Sequence, residues 1–187
     1  MTILEFQDRL NTIYQTLFDK NLMGSNHTAT TYFDALLPFI NVNDHPFFAS
    51  REEDNDTIQF RLSCRNADLF MVKKTEREED PIVSIMEEQD WVSYEFNLTT
   101  LLLTEYVDWV SVHANNKLTI PFTGYGIYVP VKKHWDQFFN PFSYPNKIWI
   151  GKEIKSVIYI QNETSTLSCM TNNVETLKQA QEFLIEK

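Results

Sequence analysis

The sequence is poor in glycine and proline, with only four glycines and seven prolines among 187 residues. Such a composition leaves little room for flexible or low-complexity linkers. Hydrophobic residues make up 43% and aromatic residues 14% of the chain, which argues against intrinsic disorder and for a packed core. A chain of this length can bury a sizeable core without disulfide bonds or metals. We therefore predict one globular domain over residues 1–187.

Cysteines and long apolar runs are scarce as well. Cys64 and Cys169 are the only cysteines, and two thiols in a chain of this size favour buried, reduced cysteines over a disulfide framework. The first residues lack the basic start and the unbroken apolar core of a signal peptide. The longest apolar-rich run, residues 98–112, is interrupted by Glu105 and Asp108, which argues against a membrane span. We therefore expect a cytoplasmic protein without membrane contacts.

Motifs for catalysis and metal binding are also missing from the sequence. The four histidines have no zinc-ligand spacing between them, and there is no Gly-x-Ser-x-Gly nucleophile elbow. The acidic run at residues 51–56 lacks the glycine and the glutamate that complete a calcium-binding EF-hand loop. We therefore predict no catalytic residues, no metal site and no cofactor.

One segment keeps an enzymatic alternative open. The apolar stretch 148–150 is followed by Glu153 and Lys155, and this pattern resembles the core of the PD-(D/E)xK nucleases. The resemblance implies a carboxylate that holds a metal ion and a lysine that assists the attacking water. The family also needs an upstream acid at a strand end, whereas the nearest one, Asp136, falls in a predicted helix. A simple turn between strands is the favoured interpretation, and a metal-dependent nuclease is the alternative.

Hydrophobic periodicity predicts three main helices. The first follows a capping box made by Thr2 and Glu5, the second covers residues 98–113 after an Asn97 cap, and the third covers residues 174–186 after an Asn172 cap. The second is apolar on most of its surface and should be largely buried.

Between and after these helices, the sequence changes to the alternation that is typical of strands. The links between the middle strands are too short for parallel crossovers, so we predict an antiparallel meander there. The fold class is therefore α+β: a mostly antiparallel sheet with an N-terminal helix, a central buried helix and a C-terminal helix. A short helix or extended segment is expected at residues 31–40 and a helical turn at 134–140. Strands are predicted at residues 58–64, 69–73, 82–86, 91–96, 118–121, 126–131, 147–150, 156–161 and 166–170.

Basic residues are outnumbered, with 16 Lys and Arg against 26 Asp and Glu, for a net charge of −10. This sign disfavours binding to phosphate backbones, and we predict no nucleic-acid partner. The charge is also uneven, because residues 49–90 hold twelve acids and six bases whereas residues 115–160 hold two acids and six lysines. Acidic runs at 51–56, 76–80 and 87–90 fall at predicted strand ends. In a meander, alternate loops emerge at the same edge, so two of these runs can form one negative surface.

An acidic surface without a catalytic constellation favours binding over chemistry. Solvation of the sheet ends is one interpretation of the acidic runs, and docking of a basic partner is the other. The function we favour is that of an inhibitor or immunity-type bacterial protein that neutralises a basic partner such as a nuclease toxin. A structural or regulatory subunit of a larger complex, for example of a phage, is a further alternative. The predicted partner-binding residues are Glu52, Glu53, Asp54, Asp56, Glu76, Glu78, Glu79 and Asp80.

Overall fold

The computed structural model of the chain describes residues 1–20, 22, 29–41, 45–63, 65, 68–74, 80–123, 127–139, 147–161 and 164–185. Within them lie five helices and ten strands, and all strand pairs are antiparallel. The predicted α+β class is confirmed. The helices are α1 (Ile3–Phe18), α2 (Tyr32–Ile40), α3 (Leu98–His113), α4 (Tyr128–His134) and α5 (Val174–Ile185). The strands are β1 (Phe48–Glu53), β2 (Thr57–Leu62), β3 (Phe70–Lys73), β4 (Ile82–Glu87), β5 (Asp90–Asn97), β6 (Lys117–Pro121), β7 (Trp135–Phe139), β8 (Lys147–Gly151), β9 (Ser156–Gln161) and β10 (Thr166–Thr171).

The chain divides into two compact units. The first unit comprises Met1–Asn11 and Leu22–Trp109, and the second comprises Thr12–Asn21 and Val110–Lys187. The first unit contains sheet A, a five-stranded meander with the order β1-β2-β3-β4-β5. The second contains sheet B, with the order β6-β10-β9-β8-β7. The meander predicted for the middle of the chain is therefore confirmed.

Aromatic side chains dominate the core of the first unit. Phe33 of α2 meets Phe60 of β2 edge to face with ring centroids 5.3 Å apart, and Phe60 stacks on Phe70 of β3 at 5.6 Å. Tyr106 of α3 packs edge to face against Phe39 of α2 at 6.4 Å. Such pairs add about 0.5–1.5 kcal/mol each beyond the burial of apolar area. Most of α3 is buried, which confirms the prediction for the central helix.

The core of the second unit is built on sheet B. Trp135 of β7 is buried, and its indole Nε1–H donates to the hydroxyl of Ser156 at 2.8 Å. Phe183 of α5 stacks on His134 with ring centroids 4.1 Å apart. Cys169 of β10 is a free, fully buried thiol, as predicted, whereas Cys64 lies outside the described residues. No helix in the described part of the chain has both the length and the apolar character to cross a membrane.

The segment around residues 126–140 differs from the prediction. A helix, Tyr128–His134, stands where a strand was expected, and a strand, Trp135–Phe139, stands where a helical turn was expected. Pro130 is compatible with the helix because it lies in the first turn, where backbone N–H groups have no partner within the helix. Trp135 enters sheet B opposite Gly151, so burial of its ring outweighs the helical spacing of the local sequence.

The first helix begins as predicted. The N–H of Thr2 donates to Glu5 Oε2 at 2.8 Å, and the N–H of Glu5 donates to Thr2 Oγ1 at 3.2 Å. This reciprocal pair satisfies two backbone donors at the start of α1. The hydrogen bond to the Glu5 carboxylate also holds its pKa below the ordinary value.

The other two predicted caps are wrong. At α5, the N–H of Thr176 donates to Asn173 Oδ1 at 2.8 Å, so the cap is one residue later than Asn172. At α3, the N–H of Thr99 donates to Asp80 Oδ1 at 3.0 Å. A side chain distant in sequence thus takes the role predicted for Asn97, and local patterns do not contain that information.

Candidate protein-binding surface

The first acidic run forms an edge strand and a tight turn rather than one loop. Strand β1 is at the edge of sheet A, and its last five residues are exposed. In the turn that follows, the carboxylate of Asp54 accepts hydrogen bonds from the N–H of Asp56 at 2.8 Å, the N–H of Thr57 at 2.6 Å and the Thr57 hydroxyl at 2.9 Å. These bonds hold the pKa of Asp54 below its ordinary value. The Asp54 carboxylate therefore stabilises the turn.

Basic side chains neutralise part of this acidic corner. Lys74 Nζ lies 2.7 Å from a carboxylate oxygen of Glu53 and also donates to the backbone carbonyl of Asp54. The hydrogen bond and charge of Lys74 lower the pKa of Glu53. Arg51 is 3.5 Å from Glu53, and its guanidinium lies 4.6 Å from the ring centre of Phe33. Glu53 and Asp54 are therefore engaged within the first unit.

Glu52 and Asp56 differ from these neighbours. Both are exposed, and among the described residues neither carboxylate has an ionic partner. Glu52 lies between Arg51 and Glu53 on β1 and therefore points to the opposite face of sheet A. Of the four predicted residues in this run, these two carry the negative charge that is available to a partner.

Asp80 belongs to the folded interior of the first unit. Its side chain is 5% exposed and lies 3.5 Å from the N-terminal ammonium of Met1. The Thr99 hydroxyl also donates to it, in addition to the backbone bond that caps α3. A neighbouring phenol, Tyr32, donates to the Met1 carbonyl at 2.6 Å. Burial, the charge of Asp80 and the charge of Glu5 together raise the pKa of Tyr32 to about 12.

The chain around residue 74 lies next to the first acidic run. The N–H of Lys74, at the end of β3, donates to the carbonyl of Asp56 at 2.7 Å. The chain therefore leaves β3 at the end of sheet A where the β1–β2 turn lies. The other predicted partner-binding residues, Glu76, Glu78 and Glu79, lie outside the described residues.

The third acidic run forms the β4–β5 turn, which lies at the opposite end of the meander. Glu88 and Gln89 both have positive φ angles, 47° and 87°. This geometry matches the mirror-image turns that suit two-residue hairpins and that usually require Asn or Gly. Glu87 and Asp90 stand directly opposite each other, a like-charge pair that destabilises a hairpin.

A groove on the outer face of sheet A was not foreseen from the sequence. We define this outer face as the one that bears Gln59 of β2 and Met71 of β3, opposite to the face that packs Phe60 and Phe70 into the core. The groove has a volume of about 660 Å³. It is lined by apolar and polar side chains from three strands, among them Met71, Lys73, Ile82, Ser84, Trp91 and Ser93.

The strand register connects this groove to the acidic edge. Glu52 stands opposite Gln59, Gln59 opposite Met71, Met71 opposite Ser84, and Ser84 opposite Ser93. One row of side chains therefore crosses all five strands on the outer face. The signal was present in the sequence, because segments such as 69–72 are apolar at consecutive positions and so present apolar side chains to both faces.

The net charge is divided sharply between the two units. The sequence of the first unit contains nineteen acids and seven bases, a net charge of −12. The sequence of the second contains seven acids and nine bases, a net charge of +2. All of the net negative charge therefore belongs to the unit that contains the groove and the acidic edge.

The residues of the nuclease alternative lie in the turn between β8 and β9. Lys155 pairs with the carboxylate of Asp19, and both side chains are mostly exposed. Asp136 is on strand β7 and lies 3.6 Å from Lys152. In the described ranges, no three His, Cys, Asp or Glu side chains converge as a metal site would require. The turn that was favoured for Glu153 and Lys155 is present.

Comparison with protein-family models, with curated proteins and with solved structures finds no match.

Proposed function

We propose that this protein acts by binding a basic protein partner through its first unit. The specific role we propose is that of an inhibitor or immunity-type protein that covers the basic surface of a toxin such as a nuclease. The observation that carries the proposal is the division of charge, −12 in the first unit against +2 in the second. The negative electrostatic potential of the first unit attracts a cationic partner and repels polyanions.

The exposed acids of the β1–β2 hairpin support this function. Because Glu52 and Asp56 have no ionic partner among the described residues, a partner's cation meets them without first breaking an internal ion pair. Glu53 and Asp54 are already engaged by Lys74 and by the turn, so they contribute less. Charges at the rim of an interface mainly raise the association rate and select partners of opposite sign.

A charge-reversal experiment tests the proposal. The probe is a peptide of alternating lysine and alanine, titrated into the full chain by calorimetry at about 0.05 M and about 0.5 M salt, where screening lengths differ severalfold. The double variant Glu52→Lys and Asp56→Lys should weaken binding about tenfold at low salt. The matched control is Glu153→Lys and Glu182→Lys, which changes the net charge equally in the second unit and should leave the affinity nearly unchanged.

Two results would contradict the proposal. One is absence of peptide binding to the unmodified chain at low salt, and the other is an equal loss of affinity in the two double variants. In the second case the affinity for the peptide depends on the net charge of the whole chain and not on the first unit.

The inhibitor role needs its own test because binding alone does not establish it. The protein encoded by the gene next to that of this chain is expressed alone and together with it. If the neighbour is a basic toxin, co-expression should restore growth, and the variant with Glu52→Lys and Asp56→Lys should fail to do so. If the neighbouring protein is basic and toxic, and co-expression of the intact chain does not restore growth, the inhibitor role is wrong.

A further inference from the structure

The side chains on the outer face of sheet A are polar on β2 and include apolar ones on β3, β4 and β5. On β2 its residues are Thr57, Gln59 and Arg61, as expected for a face in contact with water. On the next three strands the same face carries apolar side chains, and Ile82 remains 59% exposed. Exposed apolar side chains gathered at a groove and flanked by polar ones are typical of a binding site.

Two side chains of the groove are of types that are common at the centre of protein interfaces. Trp91 and Met71 belong to the residue types that are enriched there, and Trp is among those that contribute most binding energy. Met71 can adapt its unbranched side chain to the shape of a ligand. Ser84 and Ser93 add hydroxyl groups that can bond to a partner's backbone.

The position of charged residues defines what the groove can accept. Glu52 lies in the same cross-strand row as Met71, two strands away, which corresponds to about 10 Å. An extended segment of about three residues spans that distance. Lys73 and Asp80 both line the groove, but the Asp80 carboxylate is already engaged by the Met1 ammonium and by Thr99. A partner's cations are therefore favoured toward Glu52 and disfavoured beside Lys73.

We propose that the groove on the outer face of sheet A is the anchor site for an extended basic segment of a partner protein. One aliphatic or aromatic side chain of that segment enters the groove beside Trp91, and its lysine or arginine residues lie toward Glu52. This inference rests on the proposed function, because it assumes the same class of basic partner. It adds the apolar contact that charge attraction alone cannot supply.

Trp91 offers a direct readout of the groove. The structure describes all four tryptophans, and the other three are buried, with exposed fractions of 3% for Trp109, 1% for Trp135 and 4% for Trp149. A neutral quencher such as acrylamide should therefore act mainly on the fluorescence of Trp91. A side chain in the groove should protect this fluorescence, and Trp91→Phe should remove the quenchable component.

Four peptides separate the apolar contact from the charge attraction. The basic pair has alternating lysine and alanine, with phenylalanine or alanine at the central position, and the neutral pair has serine in place of lysine. The basic peptide with phenylalanine should bind at least about tenfold more tightly than its alanine counterpart, since burial of one aromatic side chain is worth at least that factor. It should also protect Trp91 from the quencher.

A variant at the groove wall completes the test. Ile82→Ser should reduce the advantage of phenylalanine to less than about threefold, with little effect on folding because the side chain is 59% exposed. The matched control is Leu4→Ser, since Leu4 is 63% exposed and lies on α1, outside the groove lining. It should keep the full difference between the two basic peptides.

The outcomes distinguish this inference from the proposed function. If the two basic peptides bind equally and neither protects Trp91, the anchor site is overturned while attraction of a basic partner stands. If both phenylalanine peptides protect Trp91 and lysine adds no affinity, the groove binds apolar side chains and the basic partner is wrong. If the chain forms dimers that Ile82→Ser disrupts, the groove binds a second copy and the inference is overturned.

Discussion

Replacing Asp80 tests whether this residue stabilises the first unit or binds a partner. Asp80 was predicted to bind the partner, but its side chain is 5% exposed and contacts three groups of the first unit: the Met1 ammonium, the Thr99 N–H and the Thr99 hydroxyl. The backbone bond from Thr99 that caps α3 is worth about 1 kcal/mol. The bond from the Thr99 hydroxyl to a charged carboxylate is worth about 1.5–3 kcal/mol. The N-terminal ammonium at 3.5 Å adds less than about 1 kcal/mol.

From these contacts, Asp80→Ala should lower the free energy of unfolding by about 3 kcal/mol. Asp80→Asn should cost less because the amide oxygen still accepts from the Thr99 N–H, although the amide nitrogen cannot accept from the Thr99 hydroxyl as the second carboxylate oxygen does. Urea denaturation followed by circular dichroism measures both changes. Asp56→Ala is the control, because this exposed acid in the same unit should stay within about 0.5 kcal/mol of the parent.

The pKa of Tyr32 is a second measurement on Asp80→Ala, and it distinguishes loss of the Asp80 charge from a general loss of structure. Since the charge of Asp80 contributes to the raised pKa of Tyr32, this pKa should fall from about 12 in the folded variant. The ultraviolet absorbance of tyrosinate measures it, with Tyr32→Phe as the reference. The reasoning is refuted if Asp80→Ala unfolds at the urea concentration of the parent and loses affinity for the lysine peptide instead.

Three further predictions concern the turns, the phenol and the thiol. Glu88 and Gln89 both have positive φ, which Asn and Gly adopt at lower cost. Replacing them by Asn and Gly should therefore raise the free energy of unfolding, measured by urea denaturation, by about 1–3 kcal/mol. A decrease would show that the backbone of this turn is not strained. The raised pKa of Tyr32 stabilises the fold fully below pH 10 and stops doing so as pH rises through about 12, so Tyr32→Phe should flatten the loss of stability in that range. Burial raises the pKa of Cys169 to about 12, so its thiol should react with a maleimide only after denaturation, as peptide mass spectrometry can show; rapid labelling of the native chain at pH 7 would contradict its burial.

The helices and the meander could be predicted from the sequence because their signals are local. The Thr2–Glu5 capping box and the spacing of apolar residues in α3 depend on neighbours a few positions away, and both are present in the structure. Strand β1 escaped prediction because an edge strand with exposed side chains has no alternation of apolar and polar residues. The α3 cap escaped because Asp80 is nineteen positions from Thr99, and only the fold joins them.

The charge available on the candidate surface also could not be predicted from local sequence patterns. Counting acids along the chain groups Glu52, Glu53 and Asp54 as one patch, but adjacent residues of a strand point to opposite faces of the sheet. Glu53 therefore meets Lys74, Asp54 folds back on its own turn, and Glu52 remains on the face that carries the groove. An acidic run in a strand is thus not a single binding surface. Its available charge depends on which face each carboxylate occupies and on which cations the fold has already placed there.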